Sequence, residues 1–423
     1  MRRSFVVSGL AVLLAACCLA HRAEAQTFGV ELHNTLMPAS GGMAGVSIAQ
    51  PQDLISAINA NPATLTQFRG TQFIMGGSWG EPTINLAHQQ GQLPMLGTFS
   101  AKSEAQGVMA PSIGVTQDLT MLGLPATFGI GFVSSAGGFV DFRQAPQSAG
   151  TNSALSVFEA MMALGVNVTE RLSVGASLAI GMGIFDAPFV GIGGETIDYA
   201  LRGVVGASYE LTPNTKLGAY WQTRQHFIFN NAIRLALPDG SFQQYRDVRM
   251  DLPENVGLGI SNTSLCDGNL LLAADLLWKQ WDNADLFKAV YDNQWVGQFG
   301  AQYAMGKCRL RLGYAYSGSL LNRNPSLSIG GVTPPGGLEA IYYSQALLAV
   351  ANPHRLSGGI GVRDALPGID LDLMAGGMFD YATHEGPLTA TSVASYWVGL
   401  GITWRFGAQA CEDAAMAMCS DEG

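Results

Sequence analysis

Few residues in this chain of 423 are of types that do covalent or metal chemistry, and none sits at a spacing such chemistry needs. Histidines fall at His21, His33, His88, His226, His354 and His384. They form no His-Glu-x-x-His pair, and the chain has neither a Gly-x-Ser-x-Gly elbow nor a phosphate-binding loop. A serine and a histidine meeting across neighbouring strands would make a hydrolase that spacing alone does not reveal. The chain otherwise reads as a non-enzyme, with no cofactor and no metal. What is left is charge: Arg202, Arg224, Arg309, Arg311 and Arg405, together with Asp275, Asp370 and Asp372, fall on the small-residue face of alternating segments. A guanidinium in such a place either pairs with a carboxylate of its own chain or holds a ligand's carboxylate through a bidentate contact.

The elements that position these groups are written in the composition. Charged residues make up 13 per cent of the chain, against about 25 per cent in a usual soluble domain. The 53 glycines follow no Gly-X-Y period and prolines number only 18, which speaks against collagen and disorder and for small residues on a closely packed sheet. Met1-Arg2-Arg3, the apolar run Phe5 to Ala20 and Ala23-Glu24-Ala25 form an export signal over residues 1–25, with Gln26 as the first mature residue. A second reading, in which Leu14-Ala15-Ala16-Cys17 is a lipoprotein box and Cys17 carries lipid, stays open. Loss of residues 1–25 removes Arg2, Arg3, Arg22 and Glu24, so the net charge of −10 becomes −10 − 3 + 1 = −12. No basic stripe remains for phosphate, which excludes nucleic acid as a partner. After residue 25 no apolar run approaches the roughly 20 residues of a spanning helix, so an exported chain this apolar is either a soluble β protein or a transmembrane barrel.

Period-2 alternation decides for strands. Tyr396, Val398, Leu400, Ile402, Trp404 and Phe406 share one face, and Trp397, Gly399, Gly401, Thr403 and Arg405 the other. The first suits lipid and the second a lumen. The pattern repeats over approximately 71–80, 107–117, 126–142, 154–168, 171–186, 199–210, 215–229, 244–262, 269–281, 294–305, 309–320, 354–363, 369–381 and 394–406, which is fourteen strands. Every other connection is short, as at Thr169-Glu170 and Gly306 to Cys308, and the intervening ones are mostly long, as at Glu81 to Gln106 and Leu321 to Pro353. Such segregation belongs to an antiparallel transmembrane β-barrel. Trp79, Trp221, Trp278, Trp281, Trp295, Trp397 and Trp404 near strand ends are expected to form interfacial girdles. The loop Leu321 to Pro353 carries a helix-compatible apolar stretch, Leu338 to Val350, that either offers a greasy patch at the mouth or packs on the rim. Cys266 and Cys308 fall in short turns at one end, so Cys266 with Cys308 and Cys411 with Cys419 is the preferred pairing; free thiols are the alternative.

Ahead of the strands, Ser40-Gly41-Gly42-Met43-Ala44-Gly45 runs into Pro51 to Ala60, apolar at Leu54, Ile55 and Ile58, and ends at Asn61-Pro62-Ala63. The spacing predicts a short helix stopped by Pro62, with glycines giving a compact, irregular backbone. Asn61 can hydrogen-bond backbone while Pro62 fixes direction, and both read as shaping the segment. This stretch resembles the N-terminal hatch of the FadL/TodX/OmpP1 family of outer-membrane transporters. In the same order as in that family follow Leu252-Pro253-Glu254-Asn255-Val256-Gly257-Leu258-Gly259-Ile260, Ala274-Asp275-Leu276-Leu277-Trp278-Lys279-Gln280-Trp281, Arg309-Leu310-Arg311-Leu312-Gly313-Tyr314-Ala315-Tyr316 and His354-Arg355-Leu356-Ser357-Gly358-Gly359-Ile360-Gly361.

The resemblance implies a hatch over 26–68 inside a barrel over 69–406, followed by an acidic tail over 407–423 where the family usually stops at a terminal aromatic. It implies a monomer in the outer membrane that takes up hydrophobic small molecules passively, such as long-chain fatty acids or hydrocarbons. Its partners would be that ligand, outer-membrane lipid and the barrel-assembly machinery, which would read Trp404-Arg405-Phe406. Paired glycines at Gly137 and Gly138 in the third strand favour a kink; in the family it resembles, a kink there opens a lateral window. A general porin, a structural or adhesive barrel, and an outer-membrane lipid hydrolase stay open as other readings.

Overall fold

The computed structural model describes residues 33–406 except 94, 190, 236, 238, 240, 330–332 and 349–352. The export signal with Cys17, residues 26–32 of the hatch, and the tail with Cys411 and Cys419 lie outside the described residues.

Fourteen antiparallel strands form one closed barrel: β1 (Thr71–His88), β2 (Val108–Asp118), β3 (Ala126–Asp141), β4 (Asn152–Asn167), β5 (Leu172–Phe189), β6 (Thr196–Thr212), β7 (Thr215–Gln222), β8 (Glu254–Leu265), β9 (Leu270–Gln280), β10 (Gln294–Met305), β11 (Cys308–Ser317), β12 (His354–Leu366), β13 (Ile369–Glu385) and β14 (Thr389–Phe406). Each pairs with its neighbours in sequence, and β14 closes on β1 from Thr71 opposite Phe406 to His88 opposite Thr389. The alternation read from sequence is the one observed: Val174, Leu178, Ile180, Leu310, Leu312, Val398 and Leu400 are exposed on the outer wall. A belt of leucine, isoleucine and phenylalanine around a whole barrel fits hydrocarbon rather than water.

Two of the expected strands are each cut in two. The segment 215–229 leaves the barrel after Gln222, and 244–262 joins it only at Glu254. Above the cuts, Gln225–Leu235 pairs with Arg246–Leu252 on one side and with Gly191–Gly193 on the other, as a separate three-stranded sheet. Pro253 has no N–H for the ladder, and its carbonyl accepts instead from Arg202 Nη2 at 2.7 Å. The tryptophans also divide. Trp79, Trp221 and Trp295 face outward, and the indole N–H groups of Trp79 and Trp221 donate to Glu81 (3.1 Å) and Glu254 (2.6 Å), as a belt edge requires. Trp281 and Trp397 are buried inside and belong to no girdle.

Cys266 and Cys308 form no disulfide. Cys266 sits in the β8–β9 turn, and Cys308 is the first residue of β11, just after the β10–β11 turn. Such turns are two strand spacings apart, about 9–10 Å, beyond the roughly 4.4–6.8 Å between Cα atoms that a bridge spans.

Inside the barrel, residues 33–68 fold as short 3-10 turns (His33–Leu36, Ser40–Met43, Pro62–Gln67) around helix α1 (Leu54–Asn59). Asp53 starts the helix by accepting from Ser56 N at 2.8 Å, and Pro62 begins the last turn. A second helix, α2 (Leu338–Leu347), lies across the long-loop mouth with Ile341, Tyr343, Ala346 and Leu347 buried. The long loop therefore packs inward.

Candidate functional site

Four of the apolar clusters of the molecule contain plug residues packed on the inner wall, the largest formed by Leu54, Ile55, Ile58 and Leu65 against Ile74, Val133 and Met161. Polar groups fix the register. Asn61 Nδ2 donates to Ile48 O (2.8 Å) and to Ala207 O of β6 (3.0 Å), while its Oδ1 accepts from Ala63 N (3.2 Å). Asp275 on β9 accepts from Ser47 N (2.6 Å) and Ile48 N (3.0 Å). Gln298 and Ser357 hold the two ends of Ala44, at its carbonyl (2.7 Å) and its N–H (2.8 Å). Within the plug, Asp53 Oδ2 accepts from Ala39 N (3.0 Å) and Ser40 N (2.9 Å).

Wall glycines make this seating possible. A Cβ on Gly175 would overlap Pro62 and Ala63, one on Gly206 would overlap Asn61 Oδ1, and one on Gly313 would overlap Met43 and Ala44. The plug's own glycines answer them: a Cβ on Gly42 would lie 3.1 Å from Gly359 Cα, and one on Gly41 2.5 Å from Thr35 O. Gly45, at φ +88°, takes a conformation that side chains rarely adopt. Asn61, Pro62, Ala63, Gly41, Gly42 and Gly45 are thus brought together as packing and backbone geometry of the plug.

The arginines separate by height and partner. Arg311 pairs with Asp372 at 2.5 Å and donates to Gln302 Oε1 at 2.7 Å. Arg202 faces Glu159 at 3.8 Å, both buried, and donates to Thr223 O and Pro253 O. Arg405 and Arg363 converge on Asp370, at 3.2 and 2.8 Å, in an open cavity of about 420 Å³ at the short-turn end, lined also by Asp53, Phe68 and Arg309. Arg309 itself donates to the carbonyls of its own turn, Gly306 and Cys308. Arg224 is not lumenal. The barrel strand has ended two residues earlier, and its side chain is half exposed on the rim, bonded to Asn283 O at 2.7 Å and 3.4 Å from Asp251. Arg202, Arg224, Arg311 and Arg405 thus each have a carboxylate within 4 Å, whereas Arg309 is bonded to backbone carbonyls alone.

Above the plug the lumen is apolar. Phe185, Phe227, Phe229, Met250, Tyr343 and Val157 belong to one buried cluster, with the rings of Phe185 and Phe229 stacked at 4.9 Å. Phe227 and Phe229 come from the rim sheet, which hangs over the barrel interior. Helix α2 covers the mouth: Glu339 accepts from Gln92 N (2.6 Å) and Leu93 N (3.2 Å), and Tyr343 donates to Thr151 Oγ1 at 3.0 Å.

Beside the plug the wall is interrupted. The β2–β3 ladder stops at Ser112 opposite Val133, although β3 continues to Asp141 along β4, and β2 continues down to Val108 along β1. The β3–β4 register slips between Ser134 and Ala136, so Ser135 is the bulged residue. The resulting gap is lined by Val108, Ala110, Ala136, Gly137 and Phe139, with His33 and Leu36 of the plug behind it, and encloses about 30 Å³, room for a water or two. The kink thus falls two residues before Gly137. Gly137 lines the gap, whereas a Cβ on Gly138 would meet nothing within 4 Å.

Among the described residues one group has the proximity for a metal ion: His226, Asp251 and Asp285 at the rim. Both carboxylates already have cations, Arg224 for Asp251 and Lys288 at 2.5 Å for Asp285, and His226 is bonded to Asp251. The cluster is a neutralised rim network. The residues that sequence reasoning missed are Asp53, Gln298 and Ser357, which hold the plug. Asp53 was visible as a helix cap ahead of Leu54; the others stand on the lumenal face of an alternating strand with no further mark.

No family model and no curated protein matches the chain. Among solved structures, the toluene transporter TodX of P. putida superposes with a TM-score of 0.63 at 17% identity, covering 91% of this chain and 99% of that one. The toluene transporter TbuX of Ralstonia pickettii gives 0.61 at 17%, over 90% and 99%, and a FadL homologue of Pseudomonas aeruginosa 0.61 at 14%, over 87% and 98%. From end to end of its described length, this chain is built on the fold of those toluene transporters and that FadL homologue.

Proposed function

We propose that the protein is an outer-membrane channel of the FadL/TodX kind, through which hydrophobic small molecules pass inward by diffusion. The observation that carries this reading is what succeeds what along the lumen. A buried apolar cluster under a helical cap leads to a tightly seated plug, and beside the plug is a gap in the wall. A water-filled pore would need polar side chains where Phe185, Phe227 and Phe229 stand. The gap is too narrow for a hydrocarbon, so passage requires a shift of His33–Leu36, the plug segment behind it.

The test is uptake by liposomes containing the refolded protein, comparing a labelled long-chain fatty acid with a small sugar, beside a version lacking residues 26–68. Entry of the fatty acid but not the sugar, with both leaking through the shortened version, is expected. Free entry of the sugar through the intact protein would make it a general porin instead.

A further inference from the structure

The cavity at the short-turn end encloses about 420 Å³, within the roughly 300–1,000 Å³ in which small ligands are held. Plug residues Gln52, Asp53 and Leu54 line it together with three guanidinium groups, those of Arg309 on β11, Arg363 on β12 and Arg405 on β14. The acids of its lining are already engaged. Asp53 accepts from the backbone N–H groups of Ala39, Ser40 and Ser56. Asp364 accepts from Arg405, and Asp370 is shared between Arg405 and Arg363. Arg309 has neither of them and donates only to Gly306 O and Cys308 O, and the buried Nε of Arg405 has no partner among the described residues. Three cations thus share two carboxylates, the third acid being turned to the plug backbone.

The chain itself carries the missing charge to this place. Arg405 lines the cavity, and only Phe406 separates it from residues 407–423. That segment holds Glu412, Asp413, Asp421 and Glu422 with no lysine, arginine or histidine, a charge of −4. Glu412 is seven residues beyond Arg405, and seven residues span at most about 23–25 Å. Around the wall β11 is three strand spacings from β14, about 14 Å, so Arg309 is inside that reach. A tether this short gives the acidic pair an effective concentration on the order of millimolar, at which even part-exposed ion pairs hold a segment in place. Between the two acidic pairs, Ala414 to Met418 is apolar, as are Leu54 and Phe68 of the cavity lining.

We infer that residues 407–423 fold back into this cavity, with the carboxylates of Glu412 and Asp413 on Arg309 and Arg405, and strap the plug from the short-turn side. The inference goes beyond the channel reading and stands whatever passes through the barrel.

The test uses the chain from Gln26 onward, refolded in detergent, with Cys266→Ser, Cys308→Ser and Cys419→Ser, so that Cys411 beside Glu412 is its sole thiol. The rate at which a bulky maleimide alkylates Cys411 is compared with the rate in the same chain unfolded in denaturant. Docking should slow it roughly threefold to tenfold. High salt should remove most of that protection, and Arg309→Glu should remove it at low salt. Glu412→Lys with Asp413→Lys should restore part of it in the Arg309→Glu protein. Heat-dependent gel mobility shows that each barrel has folded; if Arg309→Glu has not, Arg309→Gln decides, with protection lost. Cys411 reacting as fast in the folded parent as in the unfolded chain overturns the inference, and leaves the cavity to a free anion or an acidic segment of another protein. So does protection that survives both high salt and the arginine substitution, or that the paired lysines fail to restore.

Discussion

Asn61 of the plug and Ala207 of β6 are joined by a 3.0 Å hydrogen bond from the side-chain amide to the backbone carbonyl, and the same amide also donates to Ile48 O. One side chain therefore ties two stretches of the plug to each other and to the wall. Asn61→Ala leaves Ile48 O and Ala207 O without that donor. At about 0.5–1.5 kcal/mol for each bond, the expected loss is roughly 1–3 kcal/mol of plug seating. Planar-bilayer recording should show transient openings absent from the wild type, with the barrel's own heat stability little changed.

A wall glycine tests the same seating from the other side. Gly175→Leu drives a side chain into Pro62 and Ala63, so the plug must shift by the width of that group. Sugar leakage through liposomes should rise, whereas Gly138→Leu, with nothing nearby, should leave leakage at the wild-type level.

The gap makes a sharper distinction. Leu36 stands behind it and Gly137 on its edge. Leu36→Trp fills the space and is expected to reduce hydrophobic uptake several-fold without admitting sugar. Gly137→Val, whose Cβ would lie 3.3 Å from Leu155 O, should slow uptake, and Gly138→Val should not. Equal effects of the two valines would remove the gap from the route.

The cap over the mouth should respond to acid. His88 lies beyond the belt edge marked by Trp79 and Glu81, buried beneath α2, with Nδ1 2.9 Å from Thr389 Oγ1 and the ring 5.0 Å from that of Tyr343. Burial pushes its pKa below the usual value, and Glu339 at 3.9 Å pulls it part of the way back. An imidazole with a lowered pKa is neutral when folded, so its contribution is present above about pH 6.5 and is lost as the pH falls through the lowered value. Protection of the amides in 89–93 and 338–348, corrected for the intrinsic pH dependence of exchange, should fall between pH 7 and 5, and His88→Gln should abolish that fall.

The barrel was legible because lipid on one side and a plug on the other impose opposite demands on alternate residues, as Leu400 and Gly401 show. The cuts at Gln222 and Pro253 were hidden because Phe227 and Phe229 go on alternating above the rim, where they join the buried apolar cluster under the cap. Trp397 was already on the lumenal face of β14, and its depth rather than its type set it apart from Trp79. The hatch helix was legible from Pro51 to Ala60 and the stop at Pro62. The cavity at the short-turn end was not, because Arg309, Arg363 and Arg405 come to it from three separate strands, which only the folded wall can display.

The fit between Gly175, Gly206 and Gly313 and the plug also bears on stability. A Cβ added at any of those three points would overlap the plug, so plug and wall fit as one rigid contact rather than as a loose stopper. A substitution at any of the three is therefore a change to hatch and wall at once, and is read as well in how firmly the whole protein holds together on heating as in what leaks through it.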